Sequence, residues 1–98
     1  MLHMIINTHT PESCAFRSEE HKSVLVGGFA RLEEVARSKD AKVLGSWANL
    51  ASHTVFFLID APTSHIVDDL LREAKLIGHT DTKVYAVHEM ENALEKVK

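Results

Sequence analysis

The spacing of apolar and polar residues divides the chain into four strands and two main helices. Over residues 1–9 the pattern has period two. Leu2, Met4 and Ile6 make an apolar row, and His3, Ile5, Asn7 and His9 make the other. A strand whose two faces meet different surroundings shows this alternation. Thr10-Pro11-Glu12 then has the chemistry of a helix start: an N-cap hydroxyl, a proline at the first helical position and an acid in the first turn. It opens either one long helix or a separate turn. Residues 18–39 repeat Val24, Leu25, Phe29, Leu32, Val35 and Ala36 at spacings of three and four, with acids and bases between them, which predicts the main helix. Gly27 and Gly28 interrupt it, each at roughly 1 kcal/mol relative to alanine. Close packing of the helix on the sheet explains them, or a break that lets a ligand approach.

Residues 41–49 predict a second strand, with Val43, Gly45 and Trp47 on one face and Leu44 and Ser46 on the other. A short turn over 49–52 follows. Residues 54–60 (TVFFLID) are apolar on both faces, as in a well-buried strand. Ala61-Pro62-Thr63-Ser64 ends that strand and caps a second helix. Its stripe is Ile66, Val67, Leu70, Leu71, Ala74 and Ile77, and Gly78 stands as its C-terminal stop. Residues 82–89 predict the fourth strand. Residues 90–98 predict a short final helix with Met90, Ala93, Leu94 and Val97 on one face. The order β-α-β-β-α-β is the ferredoxin-like α+β arrangement. It implies a four-stranded antiparallel sheet with two helices on one face. Right-handed crossovers place the first strand between the third and fourth. The opposite face stays open, although Val55, Phe56, Phe57 and Leu58 make the third strand apolar on both sides. A large open apolar face implies a partner. The expected one is a second copy, packed sheet against sheet as a homodimer.

Composition narrows the function. Ninety-eight residues make one domain, and 45% hydrophobic with 26% charged residues is the balance of a globular protein. A formal net charge of −3, with no basic run, argues against nucleic acid, whose binding requires phosphate neutralisation. No stretch of about 18 apolar residues predicts a membrane span, and no basic, apolar leader is evident. One cysteine, Cys14, excludes an internal disulfide and fits a cytoplasmic location. Seven histidines stand out in so short a chain.

The segment Gly45-Ser46-Trp47, a turn, and then Thr54-Val55-Phe56-Phe57-Leu58-Ile59-Asp60-Ala61 before a helix resembles the central hairpin of the dimeric α+β barrel superfamily. It is most similar to small uncharacterised members related to antibiotic-biosynthesis monooxygenases and muconolactone isomerases. The resemblance implies this architecture for nearly the whole chain, with a cavity in each subunit of a dimer. It carries no catalytic signature onto this sequence, and the fold hosts many chemistries.

Three functions are compatible with the residues. If the helices cover Leu2, Met4 and Ile6, then His3, Asn7 and His9 point into the barrel, and Trp47 and His53 join them. Tyr85 and His88 lie on opposite faces of the fourth strand, so at most one of them shares the cavity; Tyr85 is the candidate ligand contact. Such a lining suits a small, partly apolar molecule. His3 or His9 would act as base and Asn7 would orient the substrate, as in a cofactorless oxygenase or isomerase. Alternatively, His9, Cys14 and His53, with His3 and His88 as further candidates, would bind a transition metal: Zn, Cu, Fe or Ni. The spacing matches no standard zinc pattern. A structural or regulatory dimer without catalysis is the third possibility, with these histidines solvated or hydrogen-bonded separately. Cys14 near a helix start could be a reactive thiol or an inert buried one. Glu19-Glu20-His21, His65, Asp68-Asp69 and His79 fit solvated helix ends and loops. No phosphate loop, serine-triad motif or paired catalytic carboxylate is visible.

Overall fold

The protein, described by a computed structural model over residues 1–10, 19–76 and 80–97, has β1 (Leu2–His9) at the heart of a four-stranded sheet. The other elements are α1 (Glu19–Ser38), β2 (Lys42–Asn49), β3 (Thr54–Asp60), α2 (Ser64–Glu73), β4 (Thr80–Val87) and α3 (Met90–Val97). Strand order is β2-β3-β1-β4, and every neighbouring pair is antiparallel. β1 therefore lies between β3 and β4, as the crossover rule expects. The architecture is α+β and ferredoxin-like. Pro11, Glu12 and Ser18 lie outside the described residues.

Register decides which side chains meet the helices. His3 pairs with Ile59, Ile5 with Phe57 and Asn7 with Val55. Ile5, Phe57 and Ile59 are buried in one core with Leu32 and Ala36 of α1 and Val67, Leu70 and Leu71 of α2. The helix-covered face of β1 is thus His3, Ile5 and Asn7, and Leu2, Met4 and Ile6 belong to the open one. This reverses the expected assignment. Polar groups can lie under helices when they find partners there. His3 Nε2 is 3.1 Å from Ser64 Oγ at the start of α2. Asn7 Nδ2 donates to the Leu76 carbonyl at 3.2 Å and to Thr82 Oγ1 at 3.0 Å. In β2 the register slips between Val43 and Gly45. That bulge leaves Val43 on the helix side and turns Gly45 and Trp47 to the open face, so the three do not share one side.

Both helices stop without glycine. Lys75, at φ 61°, follows α2; its N–H donates to the Arg72 carbonyl and that of Leu76 to the Leu71 carbonyl. Asp40, at φ 55°, ends α1 with the same pair of bonds, to Arg37 and Ala36. This is the Schellman arrangement, which glycine usually occupies. α2 therefore closes before Ile77 and Gly78, both outside the described residues. At its other end Thr63 is the N-cap, its Oγ1 accepting from Ile66 N–H at 3.2 Å. Gly28 is buried against the end of α2: a β-carbon there would lie 2.5 Å from Leu76 Cδ2 and 2.9 Å from the Ala74 carbonyl oxygen. Its close packing is helix on helix, not helix on sheet. Arg31 Nη2 donates to the same Ala74 carbonyl, and Lys39 pairs with Glu73 at 2.8 Å.

α3 forms where the apolar stripe predicts it. It has no buried residue and only marginal contact with the rest of the described chain.

Candidate functional site

A cavity of about 260 Å³ opens beside the His9 end of the sheet, between the first half of α1 and the β2–β3 hairpin. Leu25 and Phe29 of α1 form one wall. Trp47, Ala48 and Leu50 of the hairpin form the other, and His9 and His53 lie between them. Among the described residues, no lysine, arginine, aspartate or glutamate lines it.

Each wall is fixed from below. The Phe29 ring stacks on buried Phe57, with centroids 5.5 Å apart and planes 24° from parallel. Trp47 follows the β2 bulge, and its indole lies against Gly45, the position where a β-carbon would collide with it. The hairpin turn is closed by Asn49, whose Oδ1 accepts from Ser52 N–H at 3.1 Å, and by Thr54, whose hydroxyl donates to the Ser52 carbonyl. His53 ends that turn in a left-handed conformation, φ 53°. Its carbonyl accepts the His9 N–H at 3.1 Å, joining the turn to the end of β1. The two imidazoles meet edge to face, 5.2 Å between centroids and 72° between planes. His53 Nδ1 is buried and hydrogen-bonds to none of the described residues.

The sequence candidates divide between this cavity and other places. His9, Trp47 and His53 converge here. His3 lies under α2, six residues along β1 and so roughly 20 Å from His9; it is fully buried, with Nδ1 bonded to none of the described residues. Asn7 is tied to Leu76 and Thr82. Tyr85 pairs with Met4 on the open face, outside the cavity. His88 and His65 are exposed. Cys14 and His79 lie outside the described residues. Among the described residues no cluster of three or more His, Cys, Asp or Glu side chains is placed to hold a metal ion. Leu25, Phe29 and Leu50 complete the lining without being legible as site residues: Leu25 and Phe29 fit the helix stripe, and only Leu50, a leucine within a turn, carries a signal.

The open face is a second surface with a definite layout. Its centre is Leu58 and Phe56 of β3 beside Met4 and Ile6 of β1. Trp47 stands on one side of that centre and Tyr85 on the other, 57% and 49% exposed. Lys42, Asp60, Thr8, Asp81 and Lys83 form a polar margin. An apolar centre with aromatic flanks and a polar rim is the anatomy of a protein interface.

No family profile matches the chain, and no curated protein matches it. Among solved structures it is similar to SCO4226 from Streptomyces coelicolor A3(2), known from a crystal structure analysis, with a TM-score of 0.57 and 19% identity. The match covers 89% of this chain and 96% of that one. At this identity the likeness concerns the fold alone. No helix among the described residues is long and apolar enough to cross a membrane.

Proposed function

We propose that the protein binds a small, largely apolar and uncharged molecule in the cavity between α1 and the β2–β3 hairpin, as a cytoplasmic homodimer joined through the open sheet face. The supporting observation is the cavity wall: mostly aliphatic and aromatic groups, two imidazoles, the neutral polar residues Ser46, Asn49 and Thr54 and, among the described residues, no Lys, Arg, Asp or Glu. A charged ligand would lose hydration there without gaining an opposite charge. The volume, about 260 Å³, is just below the usual range of small-molecule pockets, about 300–1,000 Å³, and suits one or two rings. Imidazole can take and return a proton near neutrality. In this reading His9 or His53 is the base of an isomerisation, or of the carbanion-forming step of a cofactorless oxygenation. His3 and Asn7, bonded elsewhere, support the fold.

Trp47 is the only tryptophan in the chain and lines the cavity, so its emission reports occupancy. The test is fluorescence titration with a panel of small neutral aromatic and alicyclic compounds. A saturable change in the native protein, lost in Phe29→Ala and His53→Ala variants that keep their far-UV spectrum, is the expected result. No saturable change from any compound up to millimolar concentration would reject the site.

Metal binding is the alternative, and the contact between the His9 and His53 rings favours it. Imidazole pairs suit Zn, Cu, Fe or Ni. Elemental analysis of untagged protein purified without chelator separates the readings. Near-stoichiometric metal that disappears in His53→Ala supports the metal; content unaffected by that substitution removes it.

A further inference from the structure

We infer that Ser64 and His3 form a nucleophile–base pair at the start of α2, a second reactive site that takes an acyl group from a small activated ester. It lies at the opposite end of β1 from the cavity and does not depend on it. Ser64 is exposed, while His3 is 0% exposed, with its Nε2 3.1 Å from Ser64 Oγ. A hydroxyl within hydrogen-bond reach of an imidazole is the arrangement in which serine becomes a nucleophile. The other ring nitrogen, Nδ1, is buried and bonded to none of the described residues. Nε2 is therefore the nitrogen through which a proton enters or leaves the ring, and the Ser64 hydroxyl is its partner there. An apolar side chain would fill the same place without leaving a ring nitrogen unpaired, so packing alone does not account for an imidazole here.

Two neighbours suit the charges that acyl transfer develops. In the first turn of α2, Thr63 takes the N–H groups of Ile66 and Val67, whereas those of Ser64 and His65 bond to none of the described residues. Free N–H groups at a helix start stabilise an oxyanion. Asp60 ends β3 beside the His3 end of β1. The hydrogen bond from the Met1 ammonium holds its carboxyl below the ordinary value, and the His3 ring adds to this. A carboxylate there favours the imidazolium that forms when His3 takes a proton. In the reaction Ser64 Oγ bonds to the ester carbonyl carbon as its hydrogen passes to His3 Nε2. The bond to the leaving oxygen then breaks, and the proton goes to that oxygen. Water repeats the step on acyl-Ser64, releasing the carboxylic acid and restoring the hydroxyl. Pro62, Thr63 and His65 are exposed like Ser64, so the site suits a short acyl group on a good leaving group.

The test is incubation of the full-length native protein with p-nitrophenyl acetate, with nitrophenol release followed by absorbance and the acetyl group located by peptide mass spectrometry. Ser64→Ala and His3→Gln are run beside it. Ser64 is exposed and alanine is a good helix former, so Ser64→Ala keeps the fold, which far-UV circular dichroism checks. The expected result is acetyl on Ser64 at least about a hundredfold faster than on Ser23, an exposed hydroxyl on α1, with a similar loss of rate in His3→Gln. Acetyl confined to lysines, His65 or other serines overturns the site, as does nitrophenol release unchanged in Ser64→Ala. Equal acetylation of Ser64 in a folded His3→Gln overturns the pair. Where His3→Gln loses its fold, the position of the acetyl group and the Ser64-to-Ser23 rate ratio in the native protein decide the matter.

Discussion

The indole of Trp47 occupies the space that a side chain at Gly45 would need. A β-carbon on Gly45 would lie 2.5 Å from Cη2 and 2.8 Å from Cζ2 of the ring. The missing side chain lets the indole lie along β2 at the edge of the open face. Gly45→Ala is expected to displace the ring rather than the backbone, since the colliding atoms are the far end of a rotatable side chain. Stability should change by no more than about 1 kcal/mol, the span of strand preferences. The emission maximum of Trp47 should move. A thermal melt and an emission spectrum check both; an unmoved spectrum would mean that the indole is held by something else.

Adjacent glycines in α1 should respond in opposite directions. Gly27 faces only the Arg31 side chain, 3.2 Å from the nearest guanidinium nitrogen. Gly27→Ala should therefore gain up to about 1 kcal/mol of helix preference once that flexible group gives way. Gly28 faces a backbone carbonyl and Leu76, neither of which can yield without moving the end of α2. Gly28→Ala should lose about 1–3 kcal/mol by overpacking. Urea unfolding of the two variants decides the matter, and equal shifts would contradict the contact.

Asn7 fastens the centre of the sheet to the segment after α2 and to β4 through one amide. Asn7→Ala leaves the buried Leu76 carbonyl without that donor, which should cost about 1–3 kcal/mol. Asn7→Asp should do more harm, because a carboxylate cannot donate to the carbonyl and is charged in a buried place. Ligand titration of Asn7→Ala below its melting temperature should match the native protein; loss of binding with an intact fold would return Asn7 to the site.

Lys39 holds the ends of α1 and α2 together through Glu73. The hydrogen bond to that carboxylate, with its charge, raises the lysine above its ordinary 10.5. A raised folded-state value favours the protonated lysine. The contribution is complete below pH 10.5 and is lost as pH climbs through the raised value. Melting temperature should thus fall more steeply above pH 10.5 in the native protein than in Glu73→Gln. Parallel alkaline limbs would show that the pair is too exposed to matter.

Much of the fold is legible in the chain. The bounds of β3 follow from TVFFLID, and the start of α2 from Thr63, because a strand run and an N-cap are local signals. The stop of α2 is not legible. The left-handed position falls on Lys75, a residue with no special preference for it, so the glycine three residues later draws the eye. The facing of β1 is hidden for a different reason. Both of its rows contain apolar residues, and counting them favours Leu2, Met4 and Ile6 for the core. What decides is whether His3 and Asn7 can be hydrogen-bonded under the helices, by Ser64 and by Leu76 and Thr82, residues 61 to 75 positions away. The convergence of His9, Trp47 and His53 is legible because all three sit near one end of adjacent strands. The contribution of α1 is not, since Phe29 and Leu25 fit equally well as ordinary core.

His53 has one more consequence. Its left-handed backbone costs roughly 1–2 kcal/mol that glycine would not incur. Selection for durability alone would therefore replace it, and a lineage that abandoned the cavity would drift toward glycine or asparagine at this turn while keeping the sheet and helices intact. If the proposed pocket is in use, position 53 would thus separate descendants that keep it from those that have inherited only its scaffold.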